Sequence, residues 1–138
     1  MVRELMHDPL FLGRKSRTAT KEDLPIGQDL LETLLAHRES CVGMAGNMIG
    51  ETVAVIAFFD GDQPQVMYNP EILKAEGEYE TEEGCLSLPG EWREVERPNK
   101  VTVRAQDRNG NNIVITAEGF KARAFCHEID HLDGILYI

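Results

Sequence analysis

The sequence has few basic residues and no long hydrophobic run. Fourteen Lys and Arg stand against 24 Asp and Glu, which gives a formal net charge of −10. Binding of DNA or RNA needs clustered Lys and Arg, so this balance argues against a nucleic-acid partner. The longest apolar run, VAVIAFF, has seven residues, whereas a membrane-spanning helix needs about 20. We therefore expect neither a nucleic acid nor a membrane as a partner.

Cysteine is also scarce. The three cysteines, Cys41, Cys85 and Cys126, are odd in number and widely spaced. The first residues, MVRELMHDPLF, lack the apolar core of a signal peptide. We therefore expect a cytoplasmic protein, in which each thiol is a metal ligand, a nucleophile or a core residue rather than half of a disulfide.

Length and apolar pattern predict one domain over residues 1–138, long enough to bury a single core. The segment 25–38 is predicted to be a packing helix, because its apolar residues fall on one stripe at helical spacing. These residues are Ile26, Leu30, Leu31, Leu34 and Leu35.

The strands are predicted from β-branched content and alternation. Segments 52–59 and 64–70 form a hairpin in this prediction, and 92–98, 100–107 and 112–118 form an antiparallel sheet. A last helix covers 119–133, with Gly134 as its C-terminal cap. The predicted fold class is α+β: mostly antiparallel sheets packed around this C-terminal helix, with the N-terminal helix packed alongside.

The strongest chemical signal is AFCHEIDHLDG at residues 124–134. On a helix, His127 and His131 share one face and can reach one cation. Glu128 lies on the neighbouring face, where a carboxylate can act as a general base toward an attacking water. From these residues alone, a hydrolytic metal site and an exposed polar patch both stay open.

A catalytic divalent metal generally takes a third protein ligand. The candidate is Cys85, which stands in the turn-rich stretch EEGCLSLPG at residues 82–90. Its thiolate could reach a neighbouring helix. The alternative is that Cys85 is a small buried hydrophobic residue.

Taken together, EGCLSLP at residues 83–89 and HEIDHLDG at 127–134 resemble the peptide deformylases. CVGMAGNM at 41–48 is similar to the family's first motif with three positions changed, and Met48 stands where the family has glutamine. The resemblance implies a deformylase-like fold and a hydrolase that removes the formyl group from N-formylmethionyl peptides, with nascent chains among its partners. It runs to Ile138, where many members continue into a further element, so we expect an intact metal site without that element's contacts.

The resemblance implies that Cys85, His127 and His131 bind one divalent metal, usually Fe(II), with Zn, Ni or Co as substitutes. Glu128 would carry the proton. The backbone N–H of Leu86 would stabilise the oxyanion together with the family's glutamine, for which Asn47 is the nearest replacement because Met48 has no donor.

The resemblance also implies a set of substrate contacts. Backbone groups at Val42, Gly43 and Gly84 would hold the peptide, and Phe120 and Ala124 would line the pocket for the methionine side chain. Arg97 aligns with a family arginine and is expected either to pair with Asp130 and brace the metal-binding helix, or to form a plain surface ion pair.

Three other functions are compatible with parts of the sequence. A His-Glu-x-x-His metalloprotease would explain residues 127–131 and leave EGCLSLP unexplained. A degenerate deformylase-like protein would bind metal and peptide with little activity, as the loss of the glutamine suggests. An amidase for another N-acyl substrate would use the same site.

Overall fold

The structure is a computed structural model that describes the backbone of residues 1–77, 79–85 and 88–133, and their side chains except in 79–85 and 88–96. In these ranges the helices are α1 (Pro9–Leu12), α2 (Leu24–Ala36) and α3 (Gly119–Leu132). The strands are β1 (Gly43–Ala45), β2 (Val55–Asp60), β3 (Gln63–Glu76), β4 (Tyr79–Cys85), β5 (Leu88–Arg97), β6 (Lys100–Gln106) and β7 (Asn112–Glu118). Short 3-10 turns cover Lys21–Asp23 and Gly46–Ile49.

Five strands form one antiparallel sheet in the order β1-β2-β3-β6-β7, and β4 pairs with β5 in a separate two-stranded sheet. The predicted hairpin is confirmed, because β2 and β3 pair from Val55 opposite Tyr68 to Asp60 opposite Gln63. The prediction that β5 shares a sheet with β6 and β7 is wrong. Alternation identifies the two faces of a strand and carries no information about its partner.

Helices α2 and α3 provide the apolar face that covers the large sheet. Leu30, Leu31 and Leu34 of α2 are buried, as the stripe predicted. Helix α3 is anchored by Phe125, whose ring meets that of Phe58 on β2 edge-on at a centroid distance of 4.8 Å. These observations confirm the α+β class and place α3 against the sheet; the proposed cap Gly134 lies outside the described residues.

The N-terminal segment, residues 1–23, crosses the end of α3 and the turn after β1. The Met6 N–H donates to the Met48 carbonyl at 2.7 Å, and the Ser16 N–H donates to the Leu132 carbonyl at 2.7 Å. These bonds connect the start of the chain to the last turn of α3. In the described ranges, no helix combines the length and apolar character needed to cross a membrane.

Candidate metal centre and active site

The two histidines of α3 meet at their ring nitrogens. Their Nε2 atoms lie 3.2 Å apart, and the rings are inclined at 65° with centroids 4.9 Å apart. Together with Glu128 they form a group whose potential ligand atoms all lie within 4.8 Å of one another. His131 is buried and His127 is partly exposed, so the group opens toward the surface on one side.

This geometry suits a divalent cation. Two nitrogen ligands, each about 2.1 Å from one tetrahedral ion, lie about 3.4 Å apart, close to the separation of the two Nε2 atoms. Imidazole nitrogen suits Zn, Fe, Ni and Co. The predicted third ligand, Cys85, ends strand β4, but its side chain lies outside the described set, and so does Leu86.

Glu128 is buried against strand β1. A Cβ atom built on Gly43 would lie 3.2 Å from Cγ and 3.3 Å from Oε2 of Glu128. The glycine therefore lets β1 approach α3 closely enough to enclose the carboxylate. Gly43 therefore contacts the proposed base. The sequence analysis expected it only to hold the peptide through its backbone.

Arg97 braces helix α3 from the end of β5. Its Nη1 lies 2.5 Å from Oδ2 of Asp130, and the arginine side chain is buried at 4% exposure. The predicted pairing of these two residues is confirmed, and it is not a plain surface ion pair. Because Asp130 stands between the two histidines in sequence, the pair fixes the helix turn that carries them.

Asn47 does not supply an oxyanion donor in this arrangement. Its side chain is fully buried, and its Nδ2 donates to the His131 carbonyl at 2.7 Å and to the Leu12 carbonyl at 3.3 Å. Both N–H groups are thereby engaged, so the amide has no N–H left for a substrate oxygen and the expected donor role is wrong. No local sequence pattern indicates this contact, because its partner in α3 lies 84 residues away.

Met48 is buried at 2% exposure, and its sulfur accepts a hydrogen bond from the Ala45 N–H at 3.4 Å. It packs within the turn as a core side chain. A thioether offers no donor, so the position at which the sequence resemblance implies a glutamine contributes none here.

The expected substrate residues lie at the edge of the sheet and along α3. Among the described strands β1 lies at one end of the large sheet; Gly43 in it is buried, and Val42 beside it is exposed. Phe120 and Ala124 are one turn apart on α3, on the side that also carries the histidines. Phe120 is 58% exposed and lies under the Arg123 guanidinium, 5.3 Å from its ring centroid. Gly84 lies in β4, opposite Trp92.

Comparison with protein families connects this arrangement to known proteins. A sequence model described as "Polypeptide deformylase" matches residues 6–138. A peptide deformylase of Clostridium beijerinckii is 45% identical over 136 residues, which cover 99% of this chain and 99% of the relative. Peptide deformylase 1 of Clostridium perfringens is 46% identical over 80% of this chain and 76% of its own length.

Solved structures show the same likeness in three dimensions. A peptide deformylase from Legionella pneumophila superposes with a TM-score of 0.90 and 37% identity, covering 99% of this chain and 84% of the other. A class I type b peptide deformylase from Acinetobacter baumannii, bound to Met-Ala-Ser, superposes with a TM-score of 0.87 and 28% identity. This superposition covers 99% of this chain and 96% of the Acinetobacter baumannii chain.

Proposed function

The chain belongs to the polypeptide deformylase family and is a hydrolase that removes formyl groups from peptides; we propose that it acts on N-formylmethionyl peptides with a divalent metal held by Cys85, His127 and His131. The observation that carries this proposal is the 3.2 Å approach of the two Nε2 atoms beside the buried Glu128. The donor set fits the metal that the family uses. Fe(II) is the proposed ion, with Zn, Ni or Co as substitutes, because two imidazoles and a thiolate accept each of them.

When bound, the metal would activate the attacking water and polarise the formyl oxygen. Glu128 takes a proton from that water on a carboxylate oxygen as the water oxygen bonds to the formyl carbon, and it returns the proton to the amine nitrogen as the C–N bond breaks. Its enclosure by Gly43 limits access of bulk water to the carboxylate. Formate and a peptide with a free amino group leave.

The developing negative charge on the formyl oxygen needs a hydrogen-bond donor. We assign this role to the backbone N–H of Leu86, since Met48 has no donor and the Asn47 amide is engaged elsewhere. One donor fewer than the family's usual set reduces the turnover that the site can reach.

The peptide would lie along β1, the end strand of the large sheet, with backbone groups of Val42, Gly43 and Gly84 holding it in extended form. The methionine side chain would pack against Phe120 and Ala124. The Met-Ala-Ser complex of the Acinetobacter baumannii relative supports a short peptide that begins with methionine. We propose nascent chains in the cytoplasm as the source of such substrates.

Formate release from formyl-Met-Ala-Ser tests the substrate, with acetyl-Met-Ala-Ser as the matched control. Iron-loaded protein prepared without oxygen should release formate and leave the acetylated peptide intact. Faster cleavage of the acetylated peptide would show a different N-acyl amidase, and cleavage of an internal peptide bond would show a protease.

Metal content tests the ligand set. Cys85→Ala should abolish binding of one metal ion per chain, and Cys126→Ala, which removes the thiol next to His127, should retain it. Equal metal content in both variants would exclude Cys85 as a ligand.

A further inference from the structure

The Asn47 side chain connects three separate segments of the chain. It extends from the 3-10 turn Gly46–Ile49 and donates to the carbonyl of His131 on α3 and to that of Leu12 at the end of α1. The side chain is completely buried. Such a contact between distant segments fixes their relative positions as long as both bonds are made.

The orientation of this amide follows from its surroundings. The Asn47 oxygen is buried and has no hydrogen-bond partner among the residues that the structure describes. Reversing the amide would place that oxygen against two carbonyl oxygens, which is repulsive. The contact therefore depends on the NH2 group, and a carboxylate of the same shape cannot make it.

The His131 carbonyl receives a donor from outside the helix. It belongs to the last turn of α3, which ends at Leu132, where carbonyls lose their regular partners within the helix. Ser16 supplies the donor for Leu132, and Asn47 supplies it for His131 at 2.7 Å. The helix end is thereby fixed at the residue whose imidazole faces His127.

The turn that carries Asn47 is itself tightly held. A Cβ atom on Gly46 would lie 2.7 Å from the Val53 carbonyl oxygen and 3.0 Å from Val55 Cγ1. The turn therefore lies directly on the start of β2, where only glycine fits without movement. Because this turn cannot shift easily, the Asn47 amide can hold the end of α3 in place.

We propose that Asn47 is a positioning residue for His131, holding the last turn of α3 so that the imidazole keeps its approach to a divalent ion. This inference rests on the proposed function, because it requires metal at His127 and His131. Partners that orient metal ligands typically change metal affinity by about 10- to 100-fold when they are removed. We expect a loss of that size.

Asn47→Asp and Asn69→Asp form a matched pair of variants that test this role. The Asn69 amide donates to the Ala19 carbonyl and to Gln106, and it also accepts from the Ala19 N–H, with none of these contacts on α3. Each substitution removes donors at constant size. Asn47→Ala removes the amide without adding a charge.

The measurements are Co²⁺ affinity by competition with a chelator, the Co²⁺ absorption spectrum, and the free energy of unfolding of the metal-free protein. Both aspartate variants should be destabilised. Only the two Asn47 variants should bind Co²⁺ about 10- to 100-fold more weakly and shift its spectrum. Asn69→Asp should stay within about twofold of the wild type, since its contacts are separate from the site.

Wild-type affinity in both Asn47 variants would overturn the positioning role and leave the metal site in place. Failure of the wild type itself to bind Co²⁺ would overturn the proposed function and this inference with it. If the variants do not fold, the side-chain amide NMR signals of wild-type protein decide. Zn²⁺ should shift the Asn47 signal and leave that of Asn69 in place, and an unmoved Asn47 signal would contradict the proposal.

Discussion

Gly43 on β1 faces Glu128 on α3 so closely that an added Cβ atom would lie 3.2 Å from Cγ of the glutamate. Gly43→Ala should therefore displace the carboxylate by a few tenths of an ångström and lower kcat by about tenfold, with metal content unchanged. Gly13→Ala is the control, since its Cβ would meet the Pro9 carbonyl oxygen at an equal 3.2 Å without touching Glu128. Equal kcat for both alanine variants would contradict the role given to Gly43.

The buried pair of Arg97 and Asp130 should contribute strongly to stability. Asp130→Asn replaces the carboxylate that meets the Arg97 guanidinium, 4% exposed, with a neutral amide, and should lower the free energy of unfolding by about 3 kcal/mol. Urea unfolding of the metal-free protein measures this. The exposed pair of Arg104 and Glu71 is the control, and Glu71→Gln should change stability by less than about 1 kcal/mol. Similar losses in the two variants would show that burial of the first pair is unimportant.

Met48→Gln should restore a missing donor. Met48 is a buried packing residue, and Asn47 donates to backbone carbonyls. Because one oxyanion donor typically contributes about 100-fold or more to turnover, the glutamine variant should raise kcat by about that factor. Met48→Leu, of similar size and without a donor, should show no gain. Identical kcat in all three proteins would mean that another group already stabilises the oxyanion.

The ion pair of Arg17 and Asp23 predicts a pH dependence of stability. Hydrogen bonds from the Arg17 guanidinium, above all, lower the pKa of the Asp23 carboxyl from 3.8 to about 2. A lowered pKa in the folded state stabilises the protein above about pH 4, and this contribution is lost as the pH falls toward 2. Asp23→Asn should be less stable than the wild type by about 1 to 2 kcal/mol at pH 7. The two unfolding free energies should converge on acidification, and a constant difference from pH 7 to pH 2 would contradict this assignment.

Local patterns predicted α2, α3 and the hairpin because these elements depend on neighbouring residues. The predicted end of the second strand at residue 70 was too early, since β3 runs to Glu76. The strand continues through Pro70 because its pairing with β6 shifts register between Tyr68 and Glu71, and this irregularity accommodates the proline and the positive φ of Asn69.

The candidate site could likewise be predicted where it depends on local spacing or on the family resemblance. The spacing of His127 and His131 placed both rings on one helix face, and the family resemblance supplied the partnership of Arg97 and Asp130. The contact of Asn47 with His131 and that of Gly43 with Glu128 join segments far apart in sequence. Neither leaves a periodic pattern, so only the folded chain shows them.

The most direct test of the account is formate release from formyl-Met-Ala-Ser by Glu128→Gln, measured together with its metal content. Glutamine keeps the size of the side chain and cannot carry the proton. We expect one metal ion per chain and a rate at least about 100-fold below that of the wild type. A metal-loaded Glu128→Gln protein that releases formate at the wild-type rate would contradict it.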